Sequence, residues 1–162
     1  MKKIDFDFAS NMGGLARMFA IPPECVKKVR MDHTNGLNYL EVINREKIID
    51  LYFTEGSSSF SETQSRESPG SAYKIEIAAI VPKDSPTNQK TMTQLEHGFW
   101  YVLAEDNNGF VRLAGNEDNQ LSFSRKGGSG TGPTSGNKSE ILFAGSQVTP
   151  CPFITLEDMD EL

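Results

Sequence analysis

The residues that could carry out catalysis are few and scattered. His33 and His97 are the two histidines of the chain, and neither is accompanied by a serine or cysteine nucleophile in a recognisable elbow sequence. His97 falls near the end of a predicted helix, where a histidine commonly complements the helix dipole. The sequence therefore favours no catalytic triad, and we expect the chain not to be an enzyme.

Four carboxylates flank one predicted hairpin and could approach one another closely enough to attract Ca²⁺. They are Glu105, Asp106, Glu117 and Asp118. Their spacing lacks the alternating ligands and the closing glutamate of a calcium loop. A glycosidase would need two of them across a sugar cleft, which the pattern does not indicate. Solvated turn acids are the favoured interpretation, and we predict no metal and no cofactor.

One glycine-rich segment approaches a phosphate-binding loop without matching it. In the run from Gly132 to Ser139, Asn137 stands where the motif requires a lysine directly after glycine. The segment Ile141–Ala144 that follows has the pattern of a strand, whereas a phosphate loop opens a helix. Nucleotide binding is therefore disfavoured.

The two cysteines are predicted to be buried free thiols. Cys25 and Cys151 lie far apart, and neither has a cysteine or histidine neighbour at metal-ligand spacing. No feature of the sequence indicates an oxidising compartment, where disulfides persist. A disulfide between them stays open at this point.

Length and charge indicate one soluble domain. The chain has 162 residues, 37% of them hydrophobic with ten Phe, and a formal net charge of −6. Its cations are scattered, which disfavours wrapping on a nucleic-acid backbone. Alternating charges in Ile4–Phe8 break any secretion signal. The apolar run Ile75–Val81 is far below the ~20 residues that span a bilayer. We expect a single domain over 1–162 with no membrane contact.

Alternating apolar and polar residues predict a strand-rich chain. Asn35-Gly36 and Asn108-Gly109 are tight-turn pairs, so the runs beside each should form antiparallel hairpins. Leu15–Ile21 fits either a strand or a helical turn. The predicted strands are Ile4–Phe8, Val26–Met31, Leu37–Ile43, Lys47–Thr54, Tyr73–Val81, Phe99–Ala104, Phe110–Ala114, Leu121–Arg125 and Ile141–Ala144, with Lys47–Thr54 as the third strand of a meander.

One short helix is predicted from Pro86 to His97. Ser85 is a hydroxyl cap followed by Pro86 at the first helical position, and Gly98 offers a stop. With the strands, this predicts a mainly β domain: an antiparallel barrel or sandwich with a helix packed on the sheet.

Several segments fall outside this regular pattern. Gly56–Gly70 is rich in Ser and Glu and reads as a loop or an exposed strand. Lys126–Lys138 is a Gly-rich, flexible loop at the tip of the last hairpin. Residues 1–24 form a possible N-terminal arm. The acidic tail 155–162 is either solvated or docks on a partner.

Three stretches carry a resemblance to a known family: Gly70–Lys83, Val102–Gly115, and Phe143–Gly145 together with Pro152-Phe153. Over roughly the last two thirds of its length, the chain resembles the small tail and neck structural proteins of tailed bacteriophages infecting Bacteroidota. The motifs are turns and strand ends, with no catalytic signature.

The resemblance implies a virion protein, assembled in the host cytoplasm, that forms homo-oligomeric rings of a tail tube or neck channel. A hexameric ring, neighbouring tail or neck proteins as partners, and genomic DNA passing through an acidic lumen are its expected context. The Ser-rich segment Gly56–Gly70 and the Gly-rich segment Lys126–Lys138 would then be inter-subunit arms. Their expected assembly residues are Ser58, Phe60, Thr63, Arg66, Lys126, Gly130, Gly132 and Lys138.

A second interpretation belongs to a different class. A monomeric β-sandwich could bind a carbohydrate or protein ligand, with Phe99, Trp100 and Tyr101 as a stacking surface. Such aromatics more often fill a core, which ranks this interpretation below the ring.

Overall fold

A computed structural model describes residues 11–32, 37–67, 70–83, 85–128 and 136–155. The predicted strand Ile4–Phe8, the turn at Asn35-Gly36, the assembly residues Gly130 and Gly132, and nearly all of the acidic tail lie outside these ranges.

The predicted mainly β fold is confirmed. The described residues form eleven strands and one α-helix, with two short 3-10 helices at Pro23–Cys25 and Arg45–Lys47. The strands are β1 (Leu15–Ile21), β2 (Val26–Asp32), β3 (Leu37–Val42), β4 (Ile49–Asp50), β5 (Ser59–Glu67), β6 (Gly70–Pro82), β7 (Phe99–Asp106), β8 (Val111–Ala114), β9 (Leu121–Gly128), β10 (Lys138–Gln147) and β11 (Phe153–Ile154), and the helix is α1 (Pro86–Glu96).

The strands form one large, open, mixed sheet. Its order is β2-β3-β11-β8-β7-β9-β10-β6-β5, while β1 pairs with β7 and β4. The pairing of β11 with β3 is parallel and the other described pairings are antiparallel. The barrel alternative is wrong, because β2 and β5 stand at opposite ends of the order and do not pair with each other.

Strand β7 lies at the centre of the fold with both faces covered. Trp100 and Val102 point into one apolar cluster, which they share with β6, β10 and α1. Tyr101 and Leu103 point into a second cluster, which includes Leu40 and half-buried valines of the β2–β3 hairpin. Double burial explains why this stretch is a continuous apolar run.

One face of β6 lies in the core. Ile75, Ile77 and Ala79 are buried, while Tyr73 at the strand start is half-buried. Ile141 and Phe143 of β10 join them in the same cluster. The sheet thus folds over, so that β6 and β10 pack against β1 and β7.

Helix α1 begins as its sequence predicts. The Ser85 hydroxyl accepts the Asn88 backbone N–H at 3.2 Å, and Pro86 occupies the first turn. Met92 and Leu95 are buried in the first cluster. The Trp100 indole N–H donates to the Leu95 carbonyl at 2.9 Å, which ties the end of the helix to β7.

The predicted strand Lys47–Thr54 is wrong for most of its length. The chain turns at Asn44, whose φ of 53° is left-handed, and passes through a 3-10 turn before β4. β4 has two residues and pairs with β1, so no meander with β3 forms. The Leu51 backbone N–H donates to Met18 across this junction. Distant pairing to β1 has therefore replaced the local pairing expected from sequence.

Two open assignments are resolved by pairing. Leu15–Ile21 is a strand because it pairs with β7 along most of its length. Gly56–Gly70 contains the nine-residue strand β5, paired with β6. The two hairpins at Asn-Gly pairs and the last hairpin are confirmed as antiparallel strand pairs.

Candidate assembly surfaces

The first candidate surface is the outer edge of β5. This strand pairs with β6 along nine residues, from Ser59 opposite Ala78 to Glu67 opposite Gly70. Among the strands that the structure describes, none pairs with its other side. A strand of this length presents a row of backbone N–H and C=O groups that can pair with another chain. We call this surface the β5 edge.

The two faces of β5 differ in their environment. Alternation along the strand puts Ser59, Ser61, Thr63 and Ser65 on one face, and all four are exposed. On the opposite face, the Phe60 ring lies 5.0 Å from the Arg112 guanidinium carbon. These cation–π and packing contacts hold the strand against the molecule and leave its hydroxyl face to solvent.

Glu62 supplies the second anchor of β5. Its carboxylate oxygen Oε2 accepts the Cys151 backbone N–H at 2.7 Å. A hydrogen bond to a charged acceptor is stronger than one between neutral groups. Glu62 therefore joins the edge strand to the segment that leads into β11.

Ser58 does not lie at the surface with the other expected assembly residues. It is buried just before β5, where its hydroxyl accepts the Leu15 backbone N–H at 3.0 Å and lies 3.2 Å from the Leu15 carbonyl. Its contacts are therefore to β1 of the same chain. Thr63 and Arg66, by contrast, are exposed on β5.

Lys126 and Lys138 stand at the base of the last hairpin, on β9 and β10. Lys126 is opposite Glu140 in the register, and the Lys138 ammonium lies 3.4 Å from the Glu140 carboxylate. An open cavity of about 630 Å³ lies there, with Thr54 and Ile80 also in its lining. The structure thus brings together two of the four residues expected from the Gly-rich segment.

The second candidate surface is the outer edge of β2, at the other end of the sheet. Lys27, Lys28 and Arg30 are exposed on this strand. Lys27 hydrogen-bonds the Glu41 carboxylate, and Arg30 lies 3.3 Å from its other oxygen. The Lys27 hydrogen bond, with the neighbouring positive charges, lowers the pKa of Glu41. We call this surface the β2 edge.

Sequence reasoning missed the β2 edge. Alternation in Val26–Met31 predicts a strand of a meander, and the cations along the chain predict no concentrated basic surface. The available signal was the run Lys27-Lys28-Val29-Arg30, which concentrates positive charge in an acidic chain. Its position at the end of the sheet depends on the order of distant strands, which local alternation does not encode.

The other residues that the sequence suggested for catalysis or metal binding make contacts that support the fold. The carboxylate of Asp106 accepts the backbone N–H groups of Asn108 and Phe110 within its own turn. Glu105 forms an ion pair with Arg17 at 3.8 Å. His97 is the exposed residue that caps α1 at its C-terminal end. Within the described ranges, no group of three or more potential ligands is arranged to hold a metal ion.

Both cysteines are free and buried, as the sequence predicted. Burial raises the pKa of the Cys151 thiol, and the nearby Glu62 carboxylate raises it further. The thiol therefore stays protonated at neutral pH and is a poor nucleophile.

The expected aromatic stacking surface is not formed. Trp100 and Tyr101 are buried in the two clusters on opposite faces of β7, whereas Phe99 is 63% exposed. Because the side chains of successive strand residues point to opposite faces, these three rings cannot share one surface.

Comparison with family models, curated proteins and solved structures finds no match to this chain. In the part of the chain that the structure describes, no helix has the length and apolar character needed to cross a membrane.

Proposed function

We propose that this protein is a virion structural protein that self-assembles into rings of a phage tail tube or neck channel. In this proposal the β5 edge of each copy pairs with the β2 edge of the next. The observation that carries the proposal is the open sheet, whose nine-residue and seven-residue end strands have no strand partner on their outer sides among the described residues.

Open edges of this length need a partner or protection, because they otherwise template aggregation. Proteins protect edges by charged side chains, bulges, prolines or covering segments. The β2 edge has two of these features, because its pairing with β3 shifts register between Val26 and Lys28 and because Lys27, Lys28 and Arg30 are exposed. A regular register runs through all nine pairs of β5 with β6. Joining two different edges is a heterologous contact, and it generates a ring when the rotation between copies closes.

The two edges are complementary in charge. The segment Val26–Asp32 holds two Lys, one Arg and one Asp, for a net +2, whereas Ser59–Glu67 holds two Glu and one Arg, for a net −1. Opposite charges on facing strands favour their encounter and fix their alignment, whereas two copies of the same edge would repel. This asymmetry favours β5–β2 pairing over pairing of like edges.

The resemblance to tail and neck proteins gives these rings their context. A hexamer is the expected assembly, with neighbouring tail or neck proteins above and below it. Genomic DNA passes through the lumen without sequence-specific contacts. Lys126 and Lys138, at the base of the Gly-rich segment, are the expected contacts to a neighbouring subunit.

Light scattering across a concentration series, with negative-stain imaging of large species, tests self-assembly. Purified chain is expected to form rings or tubes as concentration rises. A chain that remains monomeric at every concentration would contradict self-assembly through its own edges.

Charge variants of β5 test which edges meet. Thr63→Lys with Ser65→Lys should weaken assembly, since the added cations face the basic β2 edge, while Thr63→Glu with Ser65→Glu should preserve it. Ser124→Lys with Ser146→Lys is the matched control, because these exposed residues lie on interior strands β9 and β10. Equal weakening by the lysine and glutamate pairs would contradict β5–β2 pairing and favour contact between two β5 edges.

A further inference from the structure

A groove beside the β2–β3 hairpin is lined by two arginines and one carboxylate. It encloses about 350 Å³ and is lined by Arg30, Tyr39, Leu40, Glu41, Val42 and Arg45. Its single carboxylate, that of Glu41, is already bonded to Lys27 and Arg30. In a chain with a net charge of −6, such a surface attracts an acidic segment.

Strand β11 delivers the chain to this hairpin. Ile154 pairs with Asn38 of β3 in parallel, and the Thr155 backbone N–H donates to the Asn38 carbonyl at 3.0 Å. The Asn38 side-chain amide donates to the Phe153 carbonyl, also at 3.0 Å. Because the two strands are parallel, the direction of β11 at Thr155 leads along β3 toward Leu40 and Val42, which line the groove.

The side chain of Thr155 also has a buried polar atom that lacks a hydrogen bond to the described residues. Its hydroxyl oxygen Oγ1 is buried and has no hydrogen-bond partner among the residues that the structure describes. An enclosed polar atom without a partner costs about 1–3 kcal/mol, so such atoms usually mark a missing neighbour.

We propose that the acidic segment 156–162 docks in the basic groove of the same copy. Its four carboxylates, Glu157, Asp158, Asp160 and Glu161, match the arginines of the groove. Its apolar residues, Leu156, Met159 and Leu162, recur every three positions. This inference does not depend on ring assembly.

Reach and tethering favour the segment of the same copy. Seven extended residues span roughly 23 Å, more than enough to run along β3. A segment attached beside its site binds at a high effective concentration, so weak contacts are sufficient. Docking of charged groups at an exposed groove is also expected to weaken as salt screens them.

Carbodiimide cross-linking of the full chain, followed by peptide mass spectrometry, tests the docking. This reagent joins carboxylates to lysines in direct contact. Tail carboxylates should couple to the hairpin lysines Lys27 and Lys28 in preference to Lys74, Lys90 and Lys126. Mixing normal and ¹⁵N-labelled protein distinguishes links within one copy from links between two copies, since a link within one copy never combines the two labels.

The matched variants are Arg30→Gln with Arg45→Gln, against Arg66→Gln with Lys138→Gln as a control of equal charge loss outside the hairpin. The first pair should reduce tail-to-hairpin links roughly twofold to twenty-five-fold, because each exposed ion pair contributes a factor of about 1.4 to 5. The control should leave them unchanged. Tail links spread evenly over all lysines, equal loss in both variants, or links of mixed label would overturn the proposal.

Discussion

Strands β7 and β5 have the same secondary structure and opposite surroundings. β7 is apolar throughout its central residues and is buried on both faces, so its side chains bind the two clusters into one domain. β5 is composed mainly of Ser, Thr, Glu and Gln, and it contacts the molecule chiefly through Phe60 and Glu62. Strand geometry alone therefore does not reveal the role of a strand, whereas the burial of its two faces does.

This difference separates stability from assembly. Side-chain packing holds β7, so substitutions there should act on the free energy of unfolding. In the proposed assembly, β5 would offer its backbone groups to a neighbouring copy, and truncation of its side chains leaves those groups in place. The following substitutions test that separation, from the largest expected effect to the smallest.

Leu103→Ala should produce the largest loss of stability. Leu103 is 1% exposed in the second cluster, and truncating a buried leucine removes apolar contacts and leaves a cavity. We expect the free energy of unfolding to fall by about 2–5 kcal/mol. Urea unfolding measures this change, with Val148→Ala as the exposed control, since Val148 is 70% exposed. A loss equal to that of the control would contradict the central role of β7.

Ser58→Ala should have an intermediate effect on stability. Ser58 lies directly before β5 in sequence, but its side chain is buried, as those of β7 are. The change removes the hydroxyl that accepts the Leu15 N–H in a buried site. We expect a loss of about 1–3 kcal/mol in the free energy of unfolding. Ser61→Ala, on the exposed face, is the matched control. Unchanged stability of Ser58→Ala would show that the hydroxyl does not join β1 to this segment.

Thr63→Ala with Ser65→Ala should change stability little. Both side chains are exposed, and surface substitutions of this kind usually fall within about 0.5 kcal/mol. Because edge pairing uses backbone groups, the oligomer distribution by light scattering should also be preserved. Loss of assembly in this variant would show that the hydroxyls, and not the edge, make the contact.

Glu41→Gln should give the smallest effect, confined to higher pH. The folded pKa of Glu41 lies below its ordinary value of 4.5, chiefly because of the Lys27 hydrogen bond. The carboxylate therefore stabilises the fold above pH 4.5, and this contribution is lost as the pH falls through the lowered pKa. Urea midpoints of the two proteins should differ slightly at neutral pH and converge in acid. If the two urea midpoints differed more in acid than at neutral pH, the ionised Glu41 carboxylate would not be the source of the stabilisation.

Local sequence signals predicted the elements whose causes are local. Alternation in Tyr73–Val81 predicted the strand β6, and the turn pair Asn108-Gly109 predicted the hairpin of β7 and β8. The Ser85-Pro86 pair gave the start of α1 with its capping bond. Each of these depends on neighbours within a few residues, which a single sequence contains.

Features that depend on distant pairing were not predicted. Lys47–Thr54 has a strand-like composition, yet only Ile49 and Asp50 of this segment form a strand, β4, which pairs with the distant strand β1. Ser58 looked like part of a polar loop, although its hydroxyl is buried against Leu15, which lies 43 residues away in sequence. The β2 edge was missed for the same reason, since strand order decides which strands end a sheet.

Amide hydrogen exchange of the wild-type chain, at dilute and at assembling concentrations, tests the edge-pairing account most directly. Exchange reports whether a backbone N–H is hydrogen-bonded. The account predicts that amides of β5 and β2 become protected together on assembly, while those of β7 are protected at both concentrations. Assembly without added protection in β5 and β2 would contradict pairing through these edges.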